Sequence, residues 1–154
     1  METVLRTEGL HKHFGAVRAV NGVSLAVERG EVFGFLGPNG AGKTTTIGMI
    51  LGLIHPTAGE VFLFGEPLTP SHTRPLRRVG ALVGASAALV PYLSARRNLR
   101  LVAELQGGDA AARIDEVLDT VGLADAADRK AGDFSTGMKQ RLGLAMALLH
   151  RPDL

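Results

Sequence analysis

One short stretch of the sequence combines glycines, a lysine and threonines at a spacing that suits phosphate chemistry. It matches the pattern G-x-x-x-x-G-K-[ST] at every fixed position. The glycines let the backbone curl so that N–H groups point inward, beside the positive end of a following helix. Lys43 adds a charge for terminal phosphates, the Thr44 hydroxyl suits Mg²⁺, and Thr45 adds a donor. The predicted nucleotide-binding residues of this loop are Gly37, Pro38, Asn39, Gly40, Ala41, Gly42, Lys43, Thr44 and Thr45.

The elements around the loop are those that such a motif requires. The apolar run from Glu31 to Leu36 predicts a buried strand before it, and a helix is predicted after it to about Leu53, because Pro56 cannot continue one. Short β-prone segments between Val4 and Val27, separated by glycines, predict an antiparallel subdomain. Another strand is predicted over Glu60–Phe64.

The second half of the chain has mainly helical patterns. A short basic helix is predicted over Pro70–Arg78 and a buried strand over Val79–Val83. Three longer helices are predicted from Ser94 to Gly107, from Asp109 as N-cap to Val121, and from Gly137 to Leu149. In the first of these, Leu99, Val102, Ala103 and Leu105 fall on one face.

Composition narrows the classes of function. The chain has 154 residues, 45% hydrophobic and 21% charged, which suits one domain with a core. The net charge is only +2 and no dense Lys/Arg block occurs, so a nucleic-acid partner is not indicated. There is no cysteine, the N-terminus lacks the pattern of a signal peptide, and the longest uncharged run is too short for a membrane helix.

A second motif opens the last predicted helix. The residues Phe134-Ser135-Thr136-Gly137-Met138 place a hydroxyl and backbone N–H groups at a helix N-terminus, which favours an anion. The motif resembles the L-S-G-G-Q signature of ATP-binding-cassette (ABC) ATPases, and Ser135 follows Lys43 by 135 − 43 = 92 residues, as in that family. The resemblance covers essentially the whole chain.

The resemblance implies an α/β fold: a P-loop NTPase (RecA-like) core with an antiparallel β subdomain and a helical subdomain. It implies a β subdomain and phosphate-loop core over residues 1–83, a Q-loop region and helical subdomain over 84–136, and a signature helix over 137–154. The segment Leu10–Gly15 looks like the family's adenine-stacking loop, which places Phe14 against the base. A core aromatic in the β subdomain is the alternative for Phe14.

The same resemblance implies a function. The signature variant and the segment Tyr92–Leu99 look most like drug exporters of the bacitracin and lantibiotic resistance type. Such a chain binds ATP with Mg²⁺ and works as a homodimer with a separate membrane permease. It lies in the cytoplasm at the inner face of the bacterial plasma membrane. The predicted signature residues, which contact the nucleotide held by the partner subunit, are Ser135, Thr136, Gly137 and Met138.

Three departures from the family pattern are visible. Gly84 stands where a Gln or Glu of the Q-loop is expected, and Thr136 and Met138 replace Gly and Gln of the signature. The sequence stops at Leu154, before the Walker B Asp and Glu and the switch His, so no catalytic residue is assigned. We therefore expect the N-terminal part of a longer ATPase, with a core incomplete at its C-terminus, that binds nucleotide and hydrolyses it poorly.

Other interpretations remain open at this stage. The chain could belong to a soluble ABC ATPase of translation or DNA maintenance, or be a non-catalytic fragment. His11 and His13 could form half of a metal site or lie on a solvated strand face. Tyr92, Arg96 and Arg97 occupy the family's permease-contact region. A solvated helix face and contact with anionic lipid or the permease are the alternatives for Arg74, Arg77 and Arg78.

Overall fold

The computed structural model describes residues 2–83 and 89–154. It divides into two compact units, one of residues 1–77 with 153–154 and the other of residues 78–152. The division predicted at residues 83/84 and 136/137 remains a prediction. Gly84, predicted to lie in the Q-loop, is outside the described residues.

An antiparallel sheet dominates the first unit. Strands β1 (Thr3–Phe14) and β2 (Val17–Glu28) form a long hairpin, and β3 (Ala58–Leu63) and β4 (Glu66–Pro67) complete the order β2-β1-β3-β4. The predicted antiparallel subdomain is therefore confirmed. Gly15 separates two strands as predicted, but Gly9 and Gly22 do not, because they adopt positive φ angles inside the strands, near irregularities in the register.

Helix α1 (Lys43–Ile50) follows the phosphate loop and packs Met49 into the core of this unit. It ends at Ile50 instead of near Leu53 as predicted. The backbone N–H groups of Leu53 and Ile54 both donate to Gly48 O, at 2.8 and 3.0 Å, and Gly52 has a φ angle of 68°. This turn closes the helix several residues before Pro56 is reached.

The predicted buried strand from Glu31 to Leu36 is wrong. These residues form no strand, and the side chains of Val32 and Leu36 are 98% and 91% exposed. A strand exists only where a neighbour accepts and donates its ladder hydrogen bonds, and no strand of the described chain pairs with this segment. The apolar sequence pattern is genuine, but its partner is not among the described elements.

The described residues of the second unit form three α-helices: α2 (Ala95–Gln106), α3 (Ile114–Thr120) and α4 (Thr136–Leu148). Short 3₁₀ helices span Gly108–Arg113, Ala124–Ala126 and Ala131–Asp133. Their apolar faces form one cluster whose largest fully buried members are Leu99, Val117, Leu118, Leu123, Leu142 and Leu149. The helical second half of the chain is confirmed.

Two details of the helix predictions are wrong. Asp109 does not cap a helix, because residues 108–113 form the 3₁₀ helix and α3 begins only at Ile114. Leu105 is 88% exposed and leaves the apolar face on which it was placed. It lies at the end of α2, just before Gly107 terminates the helix, where few neighbours can cover it.

The region between the two halves also differs from its prediction. The helix predicted over Pro70–Arg78 is a 3₁₀ helix over Arg74–Arg78. The buried strand predicted over Val79–Val83 is wrong, since these residues form no strand and Leu82 and Val83 are exposed. The neighbour of Val79 O is His150 Nε2, at 3.1 Å, and not the backbone N–H of an adjacent strand. As for residues 31–36, an apolar run is present without a described strand to pair with it.

Candidate functional site: a phosphate-binding loop and a signature turn

Gly42 shapes the entry from the phosphate loop into α1. It is the N-cap residue, with φ 84° and ψ 8°, a conformation that strongly favours glycine. A Cβ atom at this position would lie 2.3 Å from Ala19 O and 3.1 Å from Val20 Cγ2 of β2. The loop backbone therefore lies directly against β2, and only a residue without a side chain allows this approach.

The start of α1 carries donors that the protein itself leaves unused. Ala41 N donates to Pro38 O at 3.2 Å and Thr46 N donates to Gly42 O at 2.8 Å. Within residues 2–83 and 89–154, the N–H groups of Gly40, Lys43 and Thr44 donate to no backbone oxygen. These N–H groups and the positive end of the α1 dipole are donors and charge of the kind that binds an anion.

Lys43 is folded over the loop. Its Nζ atom donates to Gly37 O at 2.5 Å and to Pro38 O at 2.6 Å, so the ammonium group lies within the curl of the backbone. The Thr44 side chain is exposed beside it and Thr45 is half-buried. A lysine charge, free N–H groups and a threonine hydroxyl are the donor set that a polyphosphate with Mg²⁺ requires, so the residues present fit both groups.

Phe14 ends β1, where the chain turns back into β2. Its ring is 51% exposed, which excludes the alternative that it is a core aromatic. The Lys12 Nζ atom lies 5.1 Å from the ring centroid, and the same ammonium donates to His55 O at 2.7 Å. One ring face thus has a cationic neighbour, and the stacking of Phe14 on a nucleotide base stays a prediction.

The signature residues lie at the N-terminus of α4. Ser135 is its N-cap, with an extended backbone, and Met138 N donates to its Oγ at 3.3 Å. Ser135, Thr136 and Gly137 are exposed, whereas the preceding Phe134 is buried in the helical core. Each of the two predicted motifs is therefore formed locally, one in each unit of the structure.

Asn98 is a positioning residue that the sequence analysis missed. Its side chain is 2% exposed and forms hydrogen bonds to the backbone of the segment that leads into α2. Val90 N donates to its Oδ1 at 2.8 Å, and its Nδ2 donates to the carbonyl oxygens of Val90, Leu93 and Ser94. An asparagine on an otherwise apolar helix face was the available signal, because a buried amide requires such partners.

The residues of the predicted permease-contact region have different environments. Tyr92 is largely exposed, and Arg97 is exposed on α2. Arg96 instead donates to the carboxylates of Asp115 and Asp128, which raise its pKa through hydrogen bonds and charge, the Asp115 hydrogen bond most of all. Their role toward a permease remains a prediction.

The comparison with known sequences decides the family. The pattern that defines the ABC transporter family matches residues 20–154. The chain belongs to the ABC transporter family. It is 46% identical over all of its 154 residues to the bacitracin transport ATP-binding protein BcrA of Bacillus licheniformis, and covers 50% of that protein. It is 39% identical to the linearmycin resistance ATP-binding protein LnrL of Bacillus subtilis, covering 49% of it.

Solved structures of ABC proteins have the same fold. An ATP-binding cassette of an ABC transporter in its ADP conformation superposes with a TM-score of 0.85 at 26% identity, over 99% of this chain and 66% of that one. The α/β P-loop NTPase fold is thereby confirmed. The chain spans about half the length of the curated ABC relatives it matches.

The described residues lack two other features that would indicate a function. None of their helices is long and apolar enough to cross a membrane. No three His, Asp or Glu side chains among them cluster as metal ligands, so the His11 and His13 rings, 6.3 Å apart between centroids, have no third partner there. The hydroxyl of Thr44 stays the predicted magnesium ligand.

Proposed function

We propose that this chain is the ATP-binding part of an ABC exporter that moves a drug or peptide antibiotic across the membrane. The observation that carries this proposal is the phosphate loop, in which Gly42 lies against β2, Lys43 Nζ donates to the loop carbonyl of Gly37, and three N–H groups donate to no backbone oxygen of the described residues. The export of an antibiotic is inferred from relatives named for bacitracin transport and linearmycin resistance.

The loop residues have separate tasks in nucleotide binding. The N–H groups of Gly40, Lys43 and Thr44 hold the phosphates, and Lys43 turns its ammonium from the Gly37 and Pro38 carbonyls toward the terminal phosphates. Phe14 supports the base. Magnesium, when bound, neutralises phosphate charge, and the Thr44 hydroxyl is the residue that would hold it.

The signature turn acts on a second nucleotide in this proposal. Two copies associate so that Ser135 and the N–H groups near Gly137 of one contact the nucleotide bound by the loop of the other. A separate permease holds the dimer at the inner face of the plasma membrane. The chain spans about half the length of its relatives, and no residue of it is assigned to position the attacking water, so the proposal for this chain is ATP binding with little turnover.

The first experiment titrates the purified chain with Mg·ATP, and binding is measured through displacement of a fluorescent nucleotide analogue. We expect saturable binding that Lys43→Ala weakens by roughly tenfold to a hundredfold, because charge-assisted hydrogen bonds to phosphate are lost. Lys130→Ala removes the same charge from an exposed position in the other unit and should leave affinity unchanged. No binding by the parent chain, or an equal loss in both variants, would refute the proposal.

A further inference from the structure

A pocket lies on the first unit, outside the phosphate loop. It has a volume of about 350 Å³ and is lined by Ser71, His72, Thr73, Arg74 and Arg77. None of these residues belongs to the loop of residues 37–45 or to the signature turn. The family resemblance assigns no ligand to them, and for Arg74 and Arg77 the sequence leaves open a solvated helix face or contact with anionic lipid or the permease.

The backbone brings the two arginines together. Arg74 and Arg77 lie three residues apart on the 3₁₀ helix Arg74–Arg78, and side chains at that spacing in a 3₁₀ helix lie directly above one another. Both side chains are exposed and both line the pocket. Two arginines one turn apart on a short helix therefore line the same pocket.

The opposite side of this 3₁₀ helix is anchored in the unit. Pro75 is buried, and Leu76 N donates to Thr73 O at 3.1 Å. Leu76 Cδ1 lies 3.3 Å from the position that a Cβ atom on Gly52 would take, so it packs closely on the turn that ends α1. This anchoring keeps Arg74 and Arg77 on the outer side.

The rest of the pocket is formed by a tight turn. Thr69 and His72 exchange two backbone hydrogen bonds, of 3.3 and 3.0 Å, and the Thr69 and Ser71 hydroxyls are 3.2 Å apart. Glu66 Oε2 lies 2.9 Å from His72 Nε2, which fixes the imidazole ring. These contacts hold the hydroxyl of Ser71 and the ring of His72 at the edge of the pocket.

The charge of the pocket is not compensated by carboxylates. No Asp or Glu among the described residues lines it, and the nearby Glu66 is engaged by His72. Among the ion pairs of the described chain none includes Arg74 or Arg77. Placing two like charges beside each other costs free energy that an anion in the pocket would offset.

We propose that this pocket binds a phosphate group. Two guanidinium forks and the hydroxyls of Ser71 and Thr73 offer more donors than one carboxylate accepts, whereas a phosphate dianion has the oxygens to use them. The volume of about 350 Å³ is ample for one phosphate group. The phosphate comes either free in solution or as a phospholipid headgroup, and both sources present the same chemistry.

The test separates this pocket from the phosphate loop. Inorganic phosphate is titrated into the full chain carrying Lys43→Ala, with arginine side-chain N–H signals followed by NMR. This background removes the main charge of the proposed nucleotide site. Phosphate binding that persists in it is therefore attributed to the pocket, and a wrong proposal for the nucleotide site would not affect the result. We expect saturable shifts at Arg74 and Arg77, and an affinity that falls about tenfold or more in the Arg74→Gln, Arg77→Gln double variant.

The matched control is the Arg18→Gln, Arg100→Gln double variant, which removes equal charge from exposed positions and should bind phosphate as the parent does. Absence of saturable binding by the parent, or an equal loss in the control, would overturn the proposal. Co-sedimentation with vesicles containing phosphatidic acid identifies the source. A pocket-dependent loss of vesicle binding supports a lipid headgroup, and unchanged vesicle binding with lost phosphate binding supports a free phosphate.

Discussion

Helices α1 and α4 carry the two predicted phosphate-contacting motifs, yet their N-termini are built differently. At α1 the N-cap is Gly42, left-handed, without a side-chain cap, and pressed against Ala19. At α4 the N-cap is Ser135, extended, with its hydroxyl accepting a hydrogen bond from Met138 N. The first terminus leaves its donors to a ligand, whereas the second satisfies one of them with its own side chain.

The difference between the two helix N-termini explains why a serine suits position 135. A hydroxyl has one donor and two lone pairs, so Ser135 can accept from Met138 N and still donate to a phosphate oxygen. A carboxylate would cap the helix equally well but would repel the same phosphate. The α1 terminus needs no such compromise, because Lys43 supplies its charge and Gly42 its geometry. Stability and ligand binding should therefore respond differently to changes at the two termini.

The largest effect is expected from Gly42→Ala. The new Cβ atom would meet Ala19 O at 2.3 Å in a left-handed backbone, so the loop must move away from β2. We expect the free energy of unfolding to fall by about 3 kcal/mol or more, of which backbone strain supplies roughly 1–2 kcal/mol. Thermal and urea denaturation measure the stability, and the Mg·ATP titration should show lost binding.

Gly40→Ala is the matched control for that variant. Gly40 has nearly the same φ angle, 82°, but a Cβ atom there would meet nothing within 4 Å. Only the strain of roughly 1–2 kcal/mol should remain. Equal destabilisation by the two alanines would contradict the view that contact with β2 fixes the start of α1.

The features that could be predicted from sequence are those that depend on nearby residues. The phosphate loop, the helix starts near Ser94 and Ser135 and the helix end near Val121 follow from local backbone preferences, and each is present in the structure. The segments 31–36 and 79–83 have an equally clear apolar pattern. They form no strand, because strand formation depends on a distant neighbour that the pattern cannot supply.

In the candidate site, too, features set by nearby residues were predictable and those set by distant segments were not. Gly42 was recognised from the motif, but its approach to Ala19 depends on the fold of β2 and could not be predicted. The four hydrogen bonds of buried Asn98 depend on how residues 90–94 curl around it. The pairing of Arg74 with Arg77 required a 3₁₀ helix where a short helix of unspecified type was predicted. Residue types were thus predictable, and contacts between separated segments were not.

Ser135→Ala should have an intermediate effect. The lost cap leaves Met138 N without its partner, and we expect the free energy of unfolding of the helical unit to fall by about 1 kcal/mol. Ser135→Asp sharpens the comparison, since it keeps a cap while removing the hydroxyl donor. The aspartate variant should retain stability in thermal denaturation. In the full-length dimer, ATP-dependent association should weaken in both variants, and unimpaired association in Ser135→Asp would argue against contact between Ser135 and phosphate.

Gly137→Ala should have the smallest effect, and one of opposite sign. A Cβ atom at Gly137 would meet nothing within 4 Å, and the residue lies in the first turn of α4 with no positive φ angle. Alanine has the higher helix propensity, so we expect stabilisation by about 0.5 kcal/mol in urea denaturation. Destabilisation by Gly137→Ala would mean that α4 packs in a way that requires a glycine at this position. A variant that is more stable but no longer associates as the full-length dimer would indicate that Gly137 is needed for contact with a ligand or partner. At Gly42, by contrast, the glycine is needed because β2 of the same chain lies against it.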